Sequence, residues 1–535
     1  MIYKKIFLVV ALICLTKPCF PAGSNPFDME QIFTKMKSYG YTDVLHYDIY
    51  ATILTKEKTA HFTATVLFKV TQDNLAKIVF HLGTAFTLES VTMGNVPLRF
   101  GMAMTPSIHK ILRIFPDSPL KKDKEYTLTF TYSLKKDEGE SIFPYIKDSV
   151  AYFGGFASWY PVVHLEDAYS QNIAVTVLNQ QTVYAFGTLE KSETKGNLKT
   201  YYFKTENPIL MGSVIEVAPF KTYKEKYKNI DITIYCDEDN EEFYKEKIKD
   251  IKFIVDFYSE RFGGYPYKHF TLVLDPYLEG MGGLFYGVAL PKNKITFDDY
   301  FHEAAHIWWG FTVYIKFWIP FGVLGEGLAH YSALLALQNK FGDNEILKYE
   351  NSLKDILKTK EVAILQVKSG AREMLIFRYK GALMFRMLNW IVGDDVFFKI
   401  LKTYLKRYKH QWPEIKDFQS VADEVYGEKL DWFFDPWLNT TQKLDLTIEN
   451  VNVTQEKKKY VYTFALKNIG DMNMPVDVEI KLKGSKKEEI KKVPFSGSVQ
   501  EITLNTTFPA TELLIDPHYW LFDFNRANNT VKLTQ

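Results

Sequence analysis

Between about residue 40 and residue 220, apolar and polar residues alternate in short runs. Thr63-Ala-Thr-Val-Leu-Phe-Lys-Val70 and Tyr126-Thr-Leu-Thr-Phe-Thr-Tyr132 show the period of two that predicts half-buried strands. Turn formers such as Gly94-Asn95 and Lys195-Gly-Asn197 punctuate these runs. The stretch carries no clustered chemistry, and it predicts a β-sandwich or open sheet packed against another layer.

The texture changes after about residue 240. Asn240 to Arg261 has helical periodicity, and Phe270-Thr-Leu-Val-Leu274 is a short strand-like run. A glycine-rich stretch, Glu279 to Gly287, follows. Phe297 to Leu438 reads mostly as helix, with Gly310, Gly342 and Gly393 where helices can stop. From Leu444 the alternation returns, as in Leu446-Thr-Ile-Glu-Asn-Val451 and Val476-Asp-Val-Glu-Ile-Lys-Leu482. Short, evenly spaced strands there predict a small sandwich of immunoglobulin type.

Composition narrows this picture only slightly. A chain of 535 residues exceeds one hydrophobic core, so two to four domains are expected. With 47% apolar and 24% charged residues it is an ordinary globular composition. The formal charge of +1 gives no electrostatic case for nucleic acid or an anionic membrane. Lys4 and Lys5 precede an apolar run from Ile6 to Leu15, which is signal-peptide length and short for a bilayer span. We therefore expect an exported chain, periplasmic or secreted, with residues 1–22 as the leader and no transmembrane helix in the mature part. Cys19 raises lipid anchoring as an alternative, although Thr-Lys-Pro before it is a poor lipidation signal. Three cysteines, Cys14, Cys19 and Cys236, cannot build a cysteine-rich metal site or a disulfide framework.

The chemistry concentrates in His302-Glu303-Ala304-Ala305-His306. Residues four apart on a helix share a face, so two imidazoles at this spacing reach one tetrahedral zinc. The glutamate between them faces the water that such a metal activates and can take its proton. Helical context supports this, since Thr296 can cap, Asp298 and Asp299 suit the first turn, and Gly310 can end the element. A random match somewhere in a chain with 11 histidines has odds of roughly one in a hundred. A third ligand is available in Gly325-Glu326-Gly327-Leu328-Ala329-His330-Tyr331. Glu326 completes a His-His-Glu set with one position left open. His330, one turn beyond it, is either a satisfied helix histidine or a contact for the carboxylate or substrate.

At this point the chain resembles the zinc aminopeptidases of the aminopeptidase N type, a gluzincin family that includes leukotriene A hydrolase. Ser158-Trp159-Tyr160-Pro161 is similar to the family's stretch late in its first β-domain. Gly280-Met281-Gly282-Gly283 falls where its Gly-x-Met-Glu-Asn strand lies. His302 to Gly310, Leu324 to Tyr331 and Tyr379-Lys380-Gly381-Ala382-Leu383 resemble the zinc helix, the third-ligand helix and the catalytic-tyrosine helix. Trp432 to Trp437 resembles the end of the catalytic domain, and Asp516-Pro517 through Asn529 the close of the sandwich. The resemblance implies an α+β multidomain chain: an N-terminal β-domain (27–220), a thermolysin-like, mainly α catalytic domain (221–440) and a C-terminal immunoglobulin-like β-sandwich (441–535). It implies one zinc per chain held by His302, His306 and Glu326, peptide substrates, Glu303 as general base, and Tyr379 as the donor to the oxyanion.

Three departures from the family pattern stand out. One extra residue separates His306 from Glu326, which we expect the Ile319-Pro320-Phe321-Gly322 connection to absorb. The family's glutamate for the substrate's α-amine is Gly282 here, which weakens the requirement for a free N-terminus and opens space near the first pocket. Tyr379 directly precedes Lys380, where the family has a residue between them, so Arg378 competes for the oxyanion role. Gly280, Met281, Gly282, Gly283, His330 and Arg378 are thus the expected substrate-side positions. An aminopeptidase-like hydrolase is the leading reading. An endopeptidase on the same fold and a zinc-containing binding protein without catalysis are the alternatives.

Overall fold

The computed structural model describes residues 41–533, except 106–108, 136–143, 148, 155–157, 165–166, 206, 211–212, 238–239, 276–281, 285–286, 292–295, 315–321, 359–361 and 368–370. The expected leader, with Cys14 and Cys19, lies outside the described residues. The chain forms two compact units, one of residues 1–255 and 265–317, the other of 256–264 and 318–535.

In the first unit, eight described strands form one sheet in the order Thr188–Lys195, Leu198–Lys204, Ser170–Leu178, Thr42–Leu54, Thr59–Val70, Glu125–Lys135, Thr87–Met93, Val96–Pro97. The two runs singled out by their alternation pair with one another, Thr63 opposite Thr131 and Phe68 opposite Tyr126. Ala60, Phe62, Ala64, Val66, Phe68 and Val70 are all buried, and the residues between them are not. The period of two thus becomes one wet and one dry face. Trp159 and Tyr160 of the Trp-Tyr-Pro stretch are fully buried. Trp159 Nε1 donates to the Ser213 carbonyl at 2.6 Å, and Tyr47 donates to the Pro161 carbonyl at 2.7 Å. That motif is core, held in place by hydrogen bonds from its polar edges.

The same unit holds a five-stranded sheet in the order Lys221–Tyr227, Ile230–Cys236, His269–Asp275, Gly287–Pro291, Gly282–Leu284. Tyr235, Val273, Ala289 and Gly282 lie on one rung across four of its strands. Helix α1 is Glu241–Phe262 and helix α2 is Phe297–Ala305. Helix α2 packs on the strands Gly287–Pro291 and Gly282–Leu284.

The second unit contains α3 (Leu328–Phe341), α4 (Asn344–Leu357), α5 (Ala371–Val392), α6 (Asp394–Arg407), α7 (Ile415–Tyr426) and α8 (Asp431–Asn439), followed by the C-terminal strands. Gly342 ends α3 with φ of 87° and Gly393 separates α5 from α6 with φ of 81°, a backbone region that favours glycine. The C-terminal strands form a three-stranded and a four-stranded sheet, as expected of a small sandwich. Arg386 of α5 is fully buried and binds the sandwich: Nε donates to the Tyr519 carbonyl at 2.7 Å and Nη2 to the His518 carbonyl at 2.9 Å. Its guanidinium lies 4.2 Å from the Trp520 ring, which also stacks on Trp390. Among the described residues no helix is long and apolar enough to cross a membrane.

Candidate metal centre

Helix α2 starts as its sequence predicts. Thr296 caps it, accepting from the Asp299 amide at 3.1 Å, and Asp298 and Asp299 sit in the first turn against the positive helix end. Tyr300 through Ala305 are all buried. The expected end at Gly310 is corrected: α2 stops at Ala305, with His306 as its C-cap. Beyond it the chain continues in looser turns, the Phe311 amide bonding to the His306 carbonyl and the Val313 amide to that of Trp308. Trp308 and Trp309, just beyond the helix end, are both fully buried.

The two histidines meet at the end of this helix. His302 Nε2 and His306 Nε2 are 3.2 Å apart, with the rings nearly perpendicular. Nitrogens each about 2.0–2.1 Å from a tetrahedral zinc would stand about 3.3 Å apart, so the pair has the spacing zinc needs. His306 Nδ1 lies 3.0 Å from the Trp309 carbonyl. A carbonyl only accepts, so the proton is on Nδ1 and the Nε2 lone pair faces His302. Glu303, between them, is 9% exposed.

Glu326 completes the donor set. One ligand atom each from His302, His306 and Glu326 lies within 4.8 Å of the others. Two nitrogens and a carboxylate at this separation suit zinc, whose catalytic sites take three protein ligands. Glu326 sits in a π-helical turn, Gly322–Gly327, that leads into α3. A π turn holds more residues per turn than an α turn, so it offers a place for the additional residue between His306 and Glu326. The connection through 319–321 lies outside the described residues.

Two glycines bring the third-ligand and tyrosine motifs together. A Cβ on Gly381 would stand 2.9 Å from Gly327 Cα, and one on Gly327 would stand 3.1 Å from Gly381 Cα. No larger residue permits this approach. It joins Gly325-Glu326-Gly327 to Tyr379-Lys380-Gly381 backbone to backbone.

On α5, Arg378 Nε donates to His330 Nδ1 at 3.1 Å. An arginine only donates, so His330 is neutral and carries its proton on Nε2. His330 is fully buried, and its Nδ1 is engaged by Arg378. Tyr379 is buried, with its ring edge-on to His330 at 4.8 Å. Tyr349 of α4 packs on His330 at 4.3 Å and on Tyr379 at 5.7 Å.

Of the expected substrate strand, Gly280 and Met281 lie outside the described residues. Gly282 and Gly283 pair with Ala289 and Val288 in the strand beside α2. Two site features have no signal in the sequence. The Trp309 carbonyl is backbone, and Tyr349 is one of 34 tyrosines outside every motif.

Comparison with known proteins places a family domain over this segment. Residues 292–437 match the peptidase family M1 domain. Aminopeptidase M1-D of Oryza sativa subsp. japonica is 29% identical over 146 residues, 25% of this chain and 17% of the relative. A probable aminopeptidase 1 of Sulfurisphaera tokodaii is 24% identical over 222 residues, 38% of this chain and 28% of the relative. The chain thus spans less than a third of these relatives' lengths. An aminopeptidase A of Legionella pneumophila, solved with aspartic acid, superposes with a TM-score of 0.71 at 15% identity, over 90% of this chain and 59% of that one. An M1 zinc metallopeptidase of Deinococcus radiodurans, solved with a Tyr-Ser-Ala substrate, gives a TM-score of 0.63 at 19% identity, over 75% of this chain and 95% of that one. The fold is that of the M1 zinc metallopeptidases. The stretch that matches the M1 domain contains the His-Glu-x-x-His helix, Glu326 and Tyr379.

Proposed function

We propose that the chain is a zinc-dependent peptidase of the aminopeptidase kind, acting on peptides. The observation that carries this is the pair of imidazole Nε2 atoms 3.2 Å apart with Glu303 on the same helix, His302, His306 and Glu326 being a group that could hold a metal ion. Zinc bound by His302, His306 and Glu326 would supply a Lewis acid that makes the attacking water acidic at neutral pH. Glu303 takes the proton from that water as its oxygen adds to the peptide carbonyl carbon. The carbonyl π electrons move to oxygen, and the Tyr379 phenol donates a hydrogen bond to the charge that develops there. When the C–N bond breaks, Glu303 returns the proton to the leaving nitrogen. Arg378, on the same helix turn as Tyr379, donates through Nε to His330 Nδ1 at 3.1 Å. The charged and then apolar first residues support export to a periplasmic or secreted location.

Gly282 favours a second reading, cleavage without a free N-terminus, because no carboxylate stands at that position on the strand beside α2. The test uses purified protein with stoichiometric zinc and two matched peptides, one with a free N-terminus and one acetylated, followed by mass spectrometry. Loss of the first residue from the free peptide alone supports the aminopeptidase. Internal cleavage of both makes it an endopeptidase. Absence of cleavage across a broad peptide library, or cleavage that survives in Glu303→Ala, rejects the proposal.

A further inference from the structure

The mechanism above uses the C-terminal sandwich for nothing, yet the sandwich reaches to within one residue of the aromatic group behind Tyr379. Arg526 forms a two-pronged pair with Glu350 of α4, Nε to Oε2 at 2.7 Å and Nη2 to Oε1 at 2.7 Å. Glu350 is 1% exposed. Arg526 is itself positioned within the sandwich, where Nη2 also donates to Asp516 at 3.2 Å and to the Leu521 carbonyl. Asp516 in turn accepts from the Trp520 and Leu521 amides. The next residue along α4 from Glu350 is Tyr349, whose ring touches both His330 and Tyr379. His330 receives the Arg378 N–H, so one aromatic contact bears on both candidates for the oxyanion.

We infer that Arg526 and Tyr349 are positioning residues: the sandwich, through the Arg526–Glu350 pair, fixes α4 so that Tyr349 holds Tyr379 and His330–Arg378 in their working orientation. The two-pronged geometry matters because it fixes direction as well as distance, which a single point charge does not. A bond made by one domain to a helix of another sets where that helix lies along its axis, and a shift of about 1 Å in a catalytic donor can lower turnover up to about a hundredfold. The inference rests on the proposed function only in that Tyr379 acts on the reacting carbonyl.

The test uses the full chain loaded with zinc. Arg526→Met removes the fork while Lys354, 3.7 Å from Glu350, remains as a counter-charge that preserves the fold. The expected result is kcat lowered about tenfold or more, with KM within about twofold and zinc content unchanged. Hydrogen exchange should quicken in α4 and α5 and stay as in the parent in α2. Tyr349→Leu should reproduce the fall in kcat, and Tyr349→Phe, which keeps the ring, should restore it. An Arg526→Met protein with parental kcat and parental exchange overturns the inference, and so does one in which KM rises and zinc is lost together with kcat. Should Arg526→Met fail to fold, Tyr349→Leu decides alone: parental turnover sinks the idea. If the parent cuts no peptide, the proposed function has failed, and the exchange result still decides whether the sandwich holds these helices.

Discussion

The metal end and the substrate end of this site differ in how tightly they are specified. At the metal end, two histidines four residues apart on one helix meet at 3.2 Å, and a backbone carbonyl fixes the tautomer of one. Nothing there departs from what zinc demands, because a tetrahedral ion tolerates little change in distance or ligand type. At the substrate end, glycine stands at position 282, Tyr379 abuts Lys380, and Arg378 shares a helix turn with the tyrosine. Substrate contacts can be rebuilt from several residue types, and a loss at one can be offset at another. The comparison teaches that metal chemistry is the firm part of the assignment and that specificity is where this chain has its own character.

The largest effect should come from breaking the metal end while keeping the metal. Glu303→Gln removes the base and leaves its size, so kcat/KM should fall by about 10²–10⁴ with zinc content unchanged. A loss below tenfold, measured on the zinc-loaded variant, would move the base elsewhere. Next comes the choice between the two oxyanion candidates. Tyr379→Phe should lower kcat by about 10²–10³, and Arg378→Lys by about tenfold. The reverse order in parallel kinetics would assign the role to Arg378.

Acid offers a control that bypasses both ends. His81 and His109, in the first unit, are held neutral by burial, each with its pKa pushed down to about 4. The nearby charges of His109 and His164 push His81 further the same way. Their folded pKa lies below the unfolded value, so the unfolded chain takes up protons first. Stability is whole above about pH 6.5 and is lost as pH falls toward 4, by about 3 kcal/mol for one such histidine. Denaturant melts of His81→Gln at pH 7 and pH 4.5 should show about 2 kcal/mol less pH dependence than the parent. An unchanged difference would show that His81 does not carry the acid sensitivity. The smallest effect sharpens the substrate end: Gly282→Glu should raise preference for a free over an acetylated N-terminus by about tenfold. No change in that ratio would show that position 282 does not face the substrate amine.

Legibility differed by element in a way that follows from the physics. The strands at Thr59–Val70 and Glu125–Lys135 were readable because burial of one face writes itself as alternation. The start of α2 was readable from its cap and acidic turn, since those signals are local. Its end was not, because Gly310 is the nearest stop signal in the sequence and the turns that begin at His306 carry none of their own. The π turn that carries Glu326 was equally hidden, as one extra residue can enter a loop or a wider turn with the same composition.

By itself the sequence determined the chemistry. Its spacing of histidine and glutamate points to zinc and to the helix that presents the imidazoles, because ligand periodicity is a property of local backbone geometry. Only the tertiary structure decided how the parts converge. The approach of Gly327 to Gly381, the Arg378–His330 bond and the reach of Arg526 to Glu350 join residues 48 to 176 positions apart. Such contacts depend on how whole helices and sheets pack, and packing at that range leaves no periodicity along the chain to read.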